Sequence, residues 1–271
     1  MVTNITQYAS IMMIILIALP GCDLQHNLLY YPSTFMPSNE ALTANNIQCW
    51  PSNAGNYKGF VSTAESNHVM GTIIVFHGNA GTAADRTYYI KALVTLGYRV
   101  ILAEYPGYGA RGGKLGEKSF VSDAKETVHD AYKHYGSPLF LLGESLGCGV
   151  AAAVAKEPPV AIDGILLITP WDTLLSVANS KFPWLPLRFF MKDKYDNMSN
   201  LKGYQGRIAI VGAEKDEIIP MRHAFALYQS LPGRKAMWVV KGAGHNDWPM
   251  IVGKPWWREI VEFLSGKSAD L

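Results

Sequence analysis

Little of this chain is charged. Asp, Glu, Lys and Arg make up 17% of its 271 residues, and 24 basic against 22 acidic side chains leave a formal net charge of +2. The basic residues are dispersed, which excludes the concentrated cationic surface by which proteins hold nucleic acid. Three cysteines cannot all pair, so a disulfide-stapled scaffold is excluded as well. No apolar run reaches the ~20 residues that a bilayer-spanning helix needs. There is no internal repeat, no low-complexity tract and no cluster of metal-ligating residues. The glycine-rich stretch at 107–113, G-Y-G-A-R-G-G, lacks the Lys-Ser/Thr of a phosphate-binding loop and reads as an ordinary loop. Neither a metal nor any other cofactor is expected.

Apolar material is plentiful: 49% of residues are hydrophobic, with 10 Phe and 7 Trp. That suffices for a substantial core in one large α/β domain or two small ones. The N-terminus stands apart. Ile11 to Leu19 is an unbroken apolar run followed by Pro20-Gly21-Cys22, about the length of a signal-peptide core. The L-P-G-C ending resembles the lipobox of bacterial lipoproteins, in which the cysteine carries the lipid and becomes the mature N-terminus. It departs from that pattern in having no Lys or Arg in residues 1–10 and a proline at position 20. The expectation is an anchor over residues 1–22, attached through Cys22. Asp23 matches the inner-membrane retention signal of enterobacterial lipoproteins. Residues 23–45, polar and rich in Pro and Asn, read as a tether.

From there to the C-terminus the chain alternates. Candidate strands fall at 47–50, 57–62, 69–76, 98–103, 139–142, 164–169, 207–211 and 236–240. Helical patterns lie at 83–96, 117–135, 146–155, 221–231 and 255–264. Buried β-runs separated by helices predict an α/β fold with a mostly parallel sheet covered on both faces. One segment breaks the rhythm. Residues 171–205, after the sixth of these strands, hold Trp171, Phe182, Trp184, Phe189, Phe190 and Met191 among prolines and charges. Its length and position suggest a lid or pocket wall above the carboxyl edge of the sheet, where ligands of open α/β sheets bind. The competing reading is a crossover whose aromatics pack on the sheet.

The apolar run Leu139 to Leu142 ends in Gly143-Glu-Ser-Leu-Gly147 and passes into Ala-rich sequence. A G-x-S-x-G arises by chance in on the order of one in ten chains this long, so its setting matters. A strand before and a helix after are what a turn presenting a nucleophilic serine requires. Serine hydroxyl needs a base within hydrogen-bond reach, and that base needs an orienting acid. On such sheets the order along the chain is Ser, acid, His, and here Ser145 is followed by Asp216 and His245, each just after a later candidate strand. Asp172, Glu214, Glu217 and Asp247 are rival acids, whereas His77, His129, His134 and His223 fall in the wrong order and read as surface or structural. The oxyanion of an acyl-transfer intermediate needs two backbone N–H donors. Leu146, at the start of the nucleophile helix, and Asn79, in the His77-Gly-Asn-Ala-Gly81 loop, are the candidates. Cys148, one turn into that helix, reads as a small buried thiol.

His77-Gly78-Asn79, Glu104-Tyr-Pro-Gly-Tyr-Gly109, Gly143-Glu-Ser-Leu-Gly147, Asp216 with Ile219-Pro220, and Gly244-His245-Asn246-Asp247 together resemble the α/β-hydrolase superfamily. More narrowly, they are similar to its membrane-associated branch of protein depalmitoylases, monoacylglycerol and lysophospholipid hydrolases and yeast bud-emergence suppressor proteins. The resemblance spans about residues 45–265, so that residues 46–271 form the hydrolase domain. Where many members carry Asp-Tyr-Arg-Gly-Tyr-Gly, this chain has Glu104 and Pro106. The resemblance implies hydrolysis of an ester or thioester through an acyl-enzyme. The expected partners are a small-molecule or lipid ester and, through the N-terminus, the extracytoplasmic face of a bacterial membrane. A peptidase or amidase using the same residues, and a non-catalytic envelope binding protein that keeps the fold, are the alternatives.

Overall fold

The computed structural model describes residues 24–51, 57–64 and 68–267; the anchor expected at 1–22, with Cys22, lies outside them. Strands β2 (Ile47–Trp50), β3 (Gly59–Ser62), β4 (Thr72–Phe76), β6 (Arg99–Ala103), β7 (Leu139–Glu144), β8 (Gly164–Ile168), β9 (Arg207–Ala213) and β10 (Lys235–Val240) form one sheet. Its order is β10-β9-β8-β7-β4-β6-β3-β2. Only β3 runs against the others, pairing antiparallel with both β6 and β2. The α/β expectation holds, with the boundaries of some elements shifted. The strand expected from 69 begins at Thr72, because Gly71 takes φ +150°, outside the range of strand residues. The helix expected over 83–96 is instead a 3₁₀ turn, a short helix α3 (Tyr88–Leu93) and a second 3₁₀ turn, ended by Gly97 in the left-handed region.

Alternation along the parallel strands divides the core in two. Ile74, Phe76, Leu139, Leu141, Ile165, Leu167, Ile208 and Ile210 face one side, where α4 (Glu117–Tyr135), α5 (Leu146–Lys156) and α8 (Arg222–Ser230) cover them. Ile73, Val75, Phe140, Leu142, Leu166, Ile168 and Val211 face the other side, under α3 and α9 (Lys254–Leu264). Each such side chain contributes roughly 1.5–3 kcal/mol on burial, which is why these strands read as continuous apolar runs. The connection from β4 goes to β6 on one side and that from β7 to β8 on the other. The chain therefore reverses direction between β4 and β7. A crevice opens there at the carboxyl ends of the strands, and Phe76 lies opposite Gly143 at its floor.

Two segments depart from their sequence reading. Residues 24–45 are not a free tether. Helix α1 (Leu24–Leu29), a two-residue strand β1 (Tyr31–Pro32) and α2 (Asn39–Ala44) lie on the domain, with Tyr30 and Leu42 buried. β1 pairs in parallel with β5 (Ala80–Gly81), and the Tyr30 hydroxyl donates to Asp193 Oδ2 at 2.6 Å. Among the polar side chains of the segment, Gln25 adds hydrogen bonds to the Asp193 backbone. The insertion at 171–205 is in part the crossover of the competing reading. Trp171, Tyr195, Leu201 and Tyr204 are core residues on α6 (Leu174–Lys181), α7 (Asn197–Leu201) and their flanks, whereas Phe182, Trp184, Phe189 and Phe190 are exposed.

Removing the Tyr30 ring tests the packing of the N-terminal segment. Tyr30→Ala is expected to lower stability by about 3–5 kcal/mol, as for other buried aromatic truncations, measured as a shift of the urea midpoint at unchanged slope. A free tether would show no shift.

Candidate active site

β7 ends at Glu144 and α5 begins at Leu146, so Ser145 alone makes the turn. It holds φ +52° and ψ −112°, a region that costs a non-glycine residue on the order of 1–3 kcal/mol. The flanking glycines explain how this strain is imposed. A Cβ on Gly143 would lie 2.5 Å from the Gly147 carbonyl and 2.6 Å from the Cys148 nitrogen. A Cβ on Gly147 would enter the Phe76 carbonyl of β4. The Ser145 amide donates to Ile168 O at 2.9 Å, fixing the turn to β8. Cys148 is buried and its thiol donates to the Gly143 carbonyl at 3.2 Å. Burial pushes that thiol's pKa well up, so it is an inert packing group.

Two loops, from strands two and three places along the sheet from β7, meet this serine. The loop after β10 delivers His245, whose Nε2 lies 3.0 Å from Ser145 Oγ. The loop after β9 delivers Asp216, whose Oδ2 lies 2.7 Å from His245 Nδ1. Both side chains are buried. Asp216 is itself fixed, since its Oδ1 accepts from the Ile218 amide at 2.9 Å and the Ile219 amide at 2.7 Å. With Nδ1–H donating to the carboxylate, the Nε2 lone pair faces the serine hydroxyl and can take its proton.

The rival acids have other partners. Asp172 pairs with His223 at 2.9 Å. Glu214 accepts from the Gly242 amide at 2.7 Å, Asp247 from Gly244 at 2.7 Å and Glu217 from His245 at 3.4 Å. Three of the four thus hold the histidine loop in place through its backbone.

The donor loop is also anchored on several sides. A Cβ on Gly78 would lie 3.7 Å from Ser145 Cβ, so the loop carrying the Asn79 amide borders Ser145. Leu146 is the first residue of α5, where backbone N–H groups have no intrahelical acceptor. The Tyr105 hydroxyl donates to His77 O at 2.7 Å, that of Tyr108 to Asn79 O at 2.6 Å, and Asn79 Nδ2 to Leu29 O at 2.8 Å. His77 is buried and structural: its Nδ1 faces Gly78 O at 2.7 Å and its Nε2 faces Glu104 Oε1 at 3.1 Å. Glu104 also accepts from the Ala83 amide at 3.0 Å. The residue that departs from the common family pattern therefore stitches this loop to the turn after it.

Sequence reasoning passed over a further group. Glu144 accepts from Arg86 Nε at 3.2 Å, from the Tyr89 hydroxyl at 2.7 Å and from the Tyr88 hydroxyl. Arg86 reaches on to Ala80 O at 3.2 Å. Burial and the nearby carboxylate push both phenols well above their ordinary pKa, so they stay hydrogen-bond donors. The group ties the residue before Ser145 to the loop after β4. Glu144 occupies a variable position of G-x-S-x-G, and nothing in the local pattern pointed to its partners.

A twisted, mostly parallel sheet with an acid and a histidine delivered to a strained serine at its carboxyl edge defines a class, and the chain belongs to it: the α/β-hydrolase superfamily. The family model described as serine aminopeptidase, S33 (Hydrolase_4) matches residues 67–195. An uncharacterized protein of Mycobacterium tuberculosis is 30% identical over 71% of this chain and 69% of its own length. The α/β-hydrolase domain-containing protein 17C of Xenopus laevis is 26% identical over 78% of this chain and 67% of its own length. The lysophosphatidylserine lipase ABHD12 of Danio rerio is 28% identical over 65% of this chain, which spans about half (52%) of that relative. Among solved structures, the Pyrococcus furiosus esterase Pf2001 superposes with a TM-score of 0.65 at 18% identity, covering 88% of this chain and 97% of that one. The Paleococcus ferrophilus monoacylglycerol lipase gives 0.56 at 21%, covering 75% and 97%.

The close approach of α5 to β4 makes Gly147→Ala informative. It is expected to lower stability by about 1–3 kcal/mol or more through overpacking, read in a urea melt, and a neutral result would contradict the turn geometry.

Proposed function

We propose that this protein is a serine hydrolase that cleaves carboxylic esters or thioesters of lipid-like acyl groups through an acyl-enzyme. The observation that carries the proposal is the continuous hydrogen-bonded chain Ser145 Oγ, His245 Nε2, His245 Nδ1, Asp216 Oδ2, with links of 3.0 and 2.7 Å. Ser145 Oγ attacks the carbonyl carbon while its proton passes to His245 Nε2. Asp216 holds the ring in the required tautomer and stabilises the imidazolium. The oxyanion forms against the amides of Leu146 and Asn79, the former at the positive end of the α5 dipole. Collapse expels the alcohol or thiol, which takes its proton from His245, and water activated by the same imidazole then releases the acid.

The lipid-like character of the substrate draws support from three sources. These are the aromatic insertion at the crevice, the apolar N-terminal run ending at Cys22, and the lipase and esterase names borne by relatives and structural neighbours. On this reading Cys22 is lipidated and holds the enzyme on the extracytoplasmic side of a bacterial membrane. The aminopeptidase description of the matching family model favours an amide-cleaving alternative on the same residues.

A fluorophosphonate probe is expected to label the wild-type protein and to leave Ser145→Ala unlabelled; equal labelling would sink the assignment. Asp216→Asn should reduce kcat by about 10⁴, as loss of the orienting carboxylate does in related chemistry, while Asp172→Asn retains it. Turnover of p-nitrophenyl esters but not of aminoacyl anilides separates the esterase from the peptidase. For the anchor, Cys22→Ser should abolish labelling by radioactive palmitate, and undiminished labelling of the variant would refute lipidation there.

A further inference from the structure

The exposed part of the insertion has a composition that its place in the core does not explain. Phe182, Trp184, Phe189 and Phe190 are 45%, 70%, 70% and 52% exposed, within nine residues of each other in the segment between α6 and Asp193. Isolated exposed apolar side chains are ordinary, but four large aromatics on one excursion mark a surface that meets something apolar. The excursion is stiffened by Pro183 and Pro186, and the Arg188 guanidinium stacks over the Phe189 ring at 4.4 Å. From Lys181 to Lys192 every charged residue is basic. The next carboxylate, Asp193, is buried and pairs with Tyr30 and His26. Lys192 borders a cleft shared with Lys114 and Lys118. The cleft is also lined by Arg111, Asp123 and Glu126, with Asp123 paired to Arg111 and Glu126 to Lys58.

The start of the described chain lies against the same place. Gln25 Oε1 accepts from the Lys192 amide at 2.7 Å and from the Asp193 amide at 3.1 Å, and Gln25 Nε2 donates to Asp193 O at 2.7 Å. Residues 1–23, with their apolar run, therefore join the domain beside the end of the aromatic excursion.

We infer that Phe182 to Phe190 form a membrane-docking surface that seats Trp184, Phe189 and Phe190 in the interface of an anionic phospholipid bilayer, with the flanking Lys and Arg side chains at the headgroups. Aromatics with a basic surround are the side-chain set suited to that boundary. A protein partner would not call for the excess of positive charge, and a second copy of this chain would bring like charge to like charge. Docking here would turn the carboxyl edge of the sheet, which carries Ser145, toward the lipid. The surface does not depend on Ser145 being the nucleophile, and it can be tested without any activity.

The other tryptophans apart from Trp256 are buried, so Trp184 dominates a lipid-contact signal. The full chain, incorporated in phosphatidylcholine vesicles with and without phosphatidylglycerol, is read by quenching of tryptophan emission with brominated acyl chains. Quenching is expected, stronger with phosphatidylglycerol, lost for the most part in Trp184→Phe and weakened in Arg188→Glu. These are exposed positions, and circular dichroism verifies that the variants fold. Emission that is unquenched in both vesicle types, or quenched equally in Trp184→Phe, overturns the inference. So does a blue shift that depends on protein concentration in lipid-free detergent, which would assign the surface to self-association.

Discussion

The rest of the site depends on one enforced backbone conformation. Ser145 is held at positive φ between two glycines that have no room for a side chain, Gly147 because α5 lies directly on the backbone of β4 and Gly143 because the first turn of α5 lies against it. That close approach does three things together. It lifts the hydroxyl out of the sheet, sets the N-terminus of α5 under the same point, and brings the loop after β4 alongside. The strain is sustained by the two core layers on either face of the sheet, which resist relaxation of the turn.

Around this fixed point the remaining groups come from loops, and each loop is held by polar contacts. The histidine loop is pinned by the carboxylates of Glu214, Glu217 and Asp247 to its backbone amides. The donor loop is clamped from below by Tyr105 and Tyr108 and from the side by the N-terminal segment, through Leu29 and the Tyr31 amide. That segment also reaches Asp193 in the insertion, where the carboxylate accepts from Tyr30 and the Glu117 amide. Burial, followed by the bond to Asp193, pushes the Tyr30 phenol far above its ordinary pKa, so it remains a donor. The N-terminal segment thus bridges the loop after β4 and the base of the aromatic excursion, two parts of the chain far apart in sequence.

What could be read from the residues followed the physics that is local in sequence. Buried parallel strands leave apolar runs, and a tight strand-to-helix turn leaves G-x-S-x-G. The placement of Asp216 and His245 after later strands followed from the order of the chain. Long-range pairing was less legible. Residues 24–45 reach Asn79, Asp193 and Tyr195 through the Leu29 carbonyl, Gln25 and the Tyr30 hydroxyl, contacts across 50 to 168 positions that composition cannot register. Five carboxylates, Asp216 and its four rivals, were candidate acids until geometry placed only Asp216 on the His245 ring. Glu144, Arg86, Tyr88 and Tyr89 form a cluster with no sequence signature, since their spacing follows from how β7 and the 3₁₀ turn after β5 meet. The insertion read two ways because it is two things, a core crossover at both ends and an exposed excursion between them.

The central claim is that Ser145 becomes the acyl carrier. It is tested most directly by rapid quench of the full chain with a long-chain p-nitrophenyl ester, followed by mass spectrometry of the peptide containing Gly143 to Gly147. An added mass equal to the acyl group is expected on Ser145, formed and lost at rates consistent with turnover. Hydrolysis that continues in Ser145→Ala, with no acyl mass on this peptide in the wild-type protein, would contradict it.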